Sequence, residues 1–99
     1  MKNEQHYHRH IERASEFSAK ANANAARSEG TLYAADCLLS RHKRKGTEST
    51  VAPYAAGMTE AATRSLEDAR DQYLKAAAEI ESAIAKIKED YCDDLGGDA

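Results

Sequence analysis

From Thr59 to Tyr91 the chain runs 33 residues without a glycine or a proline, and its apolar residues recur three and four apart. Ala62, Leu66, Ala69, Tyr73, Ala76 with Ala77, Ile80, Ile84, Ile87 and Tyr91 make that series. Such spacing draws one stripe along an α-helix. At the usual rise per residue the helix would extend about 50 Å, several times the common helix length. Thr59 is placed to cap its start with Glu60 in the first turn, and Lys86 and Lys88 lie near its end, as the helix dipole favours. Glu60 with Arg64 and Asp71 with Lys75 are opposite charges four apart in the favourable order. A stripe of this length needs a long partner, which limits the chain to long-helix architectures.

The first half is also helical in pattern, with Tyr7, Ile11, Ala14, Phe17, Ser18, Ala21 and Ala25 on one face. Ser28-Glu29-Gly30-Thr31 reads as a stop, with Gly30 after the last turn and Thr31 capping a second helix. Ala23, Gly30, Leu32, Ala35 and Leu39 resemble the small-residue, turn and packing positions of a single tetratricopeptide-type helix pair. The resemblance covers about 20 residues, lacks that motif's aromatic and proline signals, and favours the turn without assigning a family. Against the turn, positions 21, 25, 28, 32, 35 and 39 keep one heptad phase straight through Gly30, and a glycine within a helix costs only about 1 kcal/mol.

The expected fold is therefore all-α. A helix-turn-helix pair, over about 4–28 and 31–45, is followed by one long helix over about 58–91; a long two-helix antiparallel hairpin is the alternative. Residues 46–57, GTESTVAPYAAG, hold the only proline and two glycines and read as a loop. Residues 1–92 make one helical domain, and 93–99 read as a flexible acidic tail.

Composition sharpens the question of what such helices bury. Of the 41% of residues that are hydrophobic, 20 are Ala, whereas Leu, Ile, Val and Phe together number 12. A binding pocket of roughly 300 Å³ or more needs large side chains for its walls. The chain has few. Catalysis inside one subunit is disfavoured, and no phosphate-binding glycine loop, paired CxxC or HExxH appears. No enzyme activity and no cofactor are expected. The same shortage predicts completion by oligomerisation, most simply as a homodimer forming a four-helix bundle, with a higher oligomer as the alternative.

Charge divides the chain. Residues 1–45 carry nine Lys/Arg against five Asp/Glu, and residues 46–99 carry five against twelve, giving the net −3. Cys37 and Cys92 occur without an apolar leader at the N-terminus, so reduced thiols and a cytoplasmic location are expected, with Cys37 read as a small core residue beside Leu38 and Leu39. No apolar run reaches the length of a membrane span, so no membrane partner is expected.

Three groups of residues are candidates for function. Ile80, Ile84, Ile87 and Tyr91, with Tyr73 and Leu66, would form an interface with a second copy or another protein. Arg41, Lys43, Arg44 and Lys45 surround His42 at a helix end and could hold phosphates of nucleic acid or of a nucleotide, although no aromatic interleaves them for base stacking. His6 and His10 share a helix face four residues apart and are weak metal candidates, because two imidazoles do not complete a site. The expectation is a small helical interaction protein, an adaptor or inhibitor of the size and class common among phage and mobile-element proteins. Binding of nucleic acid or an anionic nucleotide through 41–45 is the alternative.

Overall fold

The computed structural model describes the backbone of residues 4–94 and the side chains of residues 7–90. Two helices account for nearly all of it: α1, Glu4–Lys45, and α2, Glu48–Asp94. No strand occurs among the described residues. The all-α class holds, in the hairpin form.

The expected break at Gly30 is absent. α1 continues through it, and a methyl group placed on Gly30 would meet nothing within 4 Å. The heptad phase outweighs the turn signal here, since a single glycine costs less than the seam contacts on either side of it contribute. The resemblance to a tetratricopeptide helix pair fails with the turn.

The expected loop 46–57 also shrinks, to Gly46 and Thr47. Gly46 adopts φ +74°, donates its amide to the carbonyl of Lys43 at 3.1 Å, and is followed by Thr47, whose amide reaches the carbonyl of His42 at 2.9 Å. This pair of bonds closes the C-terminus of α1 through a left-handed glycine. His42 Nδ1 lies 2.8 Å from Thr47 Oγ1. α2 then starts ten residues before the expected position. Pro53 lies inside it, exposed and close to its start, where few helical bonds precede it. Thr59 is consequently interior to the helix, its hydroxyl donating back to the carbonyl of Ala56 at 2.9 Å. Asp93 and Asp94 of the expected tail continue α2; residues 95–99 lie outside the described residues.

The chain divides into a loop unit, residues 21–70, and a terminal unit that joins residues 1–20 with 71–99. Each is an antiparallel helix pair. In the loop unit the inward residues are Ala21, Ser28 and Ala35 from α1 and Ala55, Ala62 and Ala69 from α2; in the terminal unit they are Ala14 from α1 and Ala76, Ala83 and Asp90 from α2. Within each helix these residues stand seven apart, and every buried hydrophobic among the described residues is an alanine. Small side chains let helix backbones approach closely. Ser28 demonstrates the approach: its buried hydroxyl crosses to donate to the backbone carbonyl of Ala62 at 3.0 Å.

Candidate interaction surface

The stripe from Ala62 to Tyr91 divides in the structure. Ala62, Ala69 and Ala76 turn inward, and Ala77 and the large residues do not follow them. Leu66 is 46% exposed, Tyr73 44%, Ile80 47% and Ile84 41%. Ile87 is half-buried, and the side chain of Tyr91 lies outside the described residues. The reason is angular. One heptad position of α2 (55, 62, 69, 76, 83) occupies the line of closest approach, so the position three residues before each of the last three (66, 73, 80) falls about 60° to one side.

In the terminal unit that side can be identified against the other. His10 Nδ1 donates to Glu79 Oε1 at 2.5 Å with both side chains largely buried, Arg13 approaches the other carboxylate oxygen at 4.0 Å, and Lys20 and Lys75 stand over the Phe17 ring at 5.9 and 5.8 Å. These contacts close one flank of the helix pair with polar groups. A step of one residue rotates each helix by 100°, and in an antiparallel pair it carries both side chains toward the same opposite flank. Ile11 follows His10, and Ile80 follows Glu79. The opposite flank therefore presents Ile11 from α1, 44% exposed, together with Tyr73, Ala77, Ile80, Ile84 and Ile87 from α2. No charged side chain interrupts those five positions of α2.

The loop unit has a corresponding flank of different relief. Leu39, Ala52, Ala55, Ala56 and Thr59 line an open apolar hollow of about 250 Å³. Leu32, 37% exposed, and Leu66 carry the flank away from it. Thr59 supplies the only hydroxyl of the hollow, and that hydroxyl is already bonded to the carbonyl of Ala56. The hollow offers apolar contact and no acid, base or thiol.

The contribution of α1 to both flanks was not singled out from the sequence. Its signal is the seven-residue series Ile11, Ser18, Ala25, Leu32, Leu39, obscured because polar and small residues fill two of its five places.

The other candidates separate. Arg41, Lys43, Arg44 and Lys45 are exposed at the end of α1, and none of them is held in an ion pair among the described residues. His10 of the suggested metal pair is engaged by Glu79, while the imidazole of His6 lies outside the described residues. Among the described residues no three His, Cys, Asp or Glu side chains gather where a metal ion could be held. Cys37 is exposed, contrary to its expected place in the core, because it stands two positions past Ala35 and so faces away from the partner helix. The side chain of Cys92 lies outside the described residues. No described helix is long and apolar enough to cross a membrane. Comparison with known protein families, curated proteins and solved structures finds no match for this chain.

Proposed function

We propose that this chain is a non-enzymatic helical interaction module whose apolar flank is completed by another helical surface, self-association included, and that it acts sterically, as an adaptor or an inhibitor. One observation carries the reading: the alanines repeated every seven residues face inward while Leu66, Tyr73, Ile80 and Ile84 stay open to solvent. Contiguous exposed apolar surface beside a polar rim is characteristic of an interaction site. Its aromatic and aliphatic members are of the kind that anchor interfaces.

A photo-crosslinking amino acid at position 84, in cells that make the protein natively, should give adducts, either to the chain itself or to one recurring partner. The same group at position 75, beside Phe17 on the polar flank, should give none. Equal patterns from the two positions, or no adduct from position 84, would overturn the reading.

A second reading is supported by the exposure of Arg41, Lys43, Arg44 and Lys45 at one helix end. Under it the chain binds nucleic acid or an anionic nucleotide. Affinity for labelled nucleic acid or a cyclic nucleotide would then fall steeply with salt and vanish in a Lys43→Glu, Arg44→Glu variant. Absence of binding at low salt removes it.

A further inference from the structure

Resting on the second reading above, we infer that the ligand is a single-stranded nucleic acid lying along one flank of the loop unit, with Arg41 and Lys45 on its phosphates and Tyr54 stacked against a base. Three observations within that unit converge on this site.

The first is the aromatic ring that the turn brings back. No aromatic interleaves the basic run in the sequence, and Tyr54 follows Lys45 by nine residues. The seam fixes the direction in which each side chain leaves the helix pair. Ala35 and Ala55 lie on the line of contact, and Leu39 and Ala52 stand on the side of the hollow. Leu38, three residues past Ala35, and Val51, four before Ala55, fall on the opposite side, and both are half-buried. Arg41 and Lys45 follow Leu38 by three and seven residues, and Tyr54 follows Val51 by three. All three therefore project further out on that same side, with Leu38 and Val51 between the cations and the ring. Tyr54 is 71% exposed, and among the described residues its hydroxyl has no hydrogen-bond partner.

The second is charge. The basic run divides by angle: Lys43, four past Leu39, belongs to the side of the hollow, and Arg44, nine past Ala35, points away from the pair. Arg41 and Lys45 remain together, about 6 Å apart along one face. Both are exposed, and neither is held in an ion pair among the described residues. Carboxylates keep off their side. Glu29 and Asp36 each follow a seam residue by one and turn toward the hollow; Glu60 and Glu67, each two before a seam alanine, point outward. Glu60 is in any case paired with Arg64 at 3.1 Å. On α2 the first carboxylate of the cationic side is Asp68, about 21 Å beyond Tyr54. Arg27, one residue before Ser28, extends the same side along α1.

The third is the form of the ligand that such a set fits. Cations beside an exposed ring are the elements of sequence-tolerant single-strand binding, in which phosphates are held and bases stack. A duplex keeps its bases stacked on one another and offers a protruding ring no free face. An acidic peptide would use the cations and leave Tyr54 without a role. A single nucleotide would engage the ring and one cation, whereas a strand engages all three groups and continues toward Arg27.

Fluorescence anisotropy of a labelled oligothymidylate, measured with the full chain across a salt series, tests the site. Tyr54→Leu should weaken binding at least about fivefold, the loss of one stacked base; Tyr54→Phe, which keeps the ring, should not. Arg41→Gln with Lys45→Gln should lower the slope of log affinity against log salt by about 1.4, two phosphates at about 0.7 each. Lys43→Gln with Arg44→Gln should lower it by less than half as much. An iodouracil base in the strand should photocrosslink to Tyr54 of the unmodified chain, a readout that needs no variant to fold. Equal affinity for a blunt duplex, tighter binding of a cyclic nucleotide than of the strand, or capture by phosphatidylserine vesicles but not by the strand would overturn the proposal. Binding that is lost in the Lys43→Glu, Arg44→Glu variant yet unmoved by Tyr54→Leu would overturn this site and leave the second reading standing. No binding of strand, duplex or cyclic nucleotide at low salt removes both.

Discussion

The two flanks of the terminal helix pair are made from neighbouring residues, yet they meet opposite ends. His10 and Glu79 close one flank through a short hydrogen bond, with Arg13 approaching the other carboxylate oxygen; Ile11 and Ile80, each one residue further along, leave the other flank apolar and open. Polar groups on a flank can satisfy one another in place, because a histidine and a glutamate reach across a close helix pair. Aliphatic side chains beside an alanine seam are only partly covered within the pair, and Ile11, Ile80 and Ile84 each keep more than two fifths of their surface in water. The difference teaches that the seam sets the spacing of the helices while the open flank keeps large apolar side chains in water. At about 25 cal/mol per Å², the large residues hold most of the hydrophobic free energy available to this chain, and the isolated pair leaves much of it unused.

The strongest challenge to that division is to enlarge the seam. In an Ile84→Lys background, where the flank is silenced, Ala69→Leu should destabilise the helix pair by about 3 kcal/mol, because a seam filled by alanine has no room for an isobutyl group without separating the helices. Leu66→Ala in the same background should change stability by less than about 1 kcal/mol, since the side chain is nearly half exposed. Urea unfolding followed by circular dichroism gives both values. A larger loss from Leu66→Ala than from Ala69→Leu would reverse the assignment of seam and flank.

Next in size is the turn that makes the pair antiparallel. Gly46 at φ +74° occupies a region that costs other residues about 1–2 kcal/mol, so Gly46→Ala should lower stability by that amount in the same urea measurement. Gly46→Asn should lower it less, because asparagine tolerates the left-handed region. Equal losses from the two variants would show that something other than backbone strain sets the cost.

Smaller still is the contribution of the bond across the seam. Ser28→Ala removes the hydroxyl that donates to Ala62, but that carbonyl sits inside α2 and alanine is the better helix former. The net effect should lie within about 1 kcal/mol of zero. A loss well beyond that would assign the seam's hold to the hydrogen bond rather than to close contact.

Helix content and the phase of the seam were legible in the sequence, since both follow from positions three and four apart. The division of the long stripe into inward alanines and outward isoleucines was not. Ala76 and Ala77, or Ile80 and Ala83, lie within the same apolar arc, and only the partner helix decides which line within the arc becomes the axis of contact. Inside the pair the contact line falls to the alanines because, repeated every seven residues in both helices, they allow the closer approach. The basic run and its exposure followed directly from its place at a helix end. The loop was overread because Pro53 and Gly57 count as breakers in a sequence, although a proline near a helix start and one further glycine cost less than the twelve-residue loop was taken to imply.

The same weighing gives the smallest expected effect and the one of opposite sign. Gly30 lies within α1, exposed, with space around the position a methyl group would take. Gly30→Ala therefore adds no clash, restricts the unfolded chain and improves helix propensity, and should stabilise the protein by up to about 1 kcal/mol. Were Gly30 instead a left-handed turn between two short helices, the same substitution would destabilise by a similar amount. Gly46→Ala and Gly30→Ala measured side by side thus test the hairpin by the sign of two changes: a loss at the turn and a gain in the helix. A loss at both positions would restore the helix break and with it a different path for the first half of the chain.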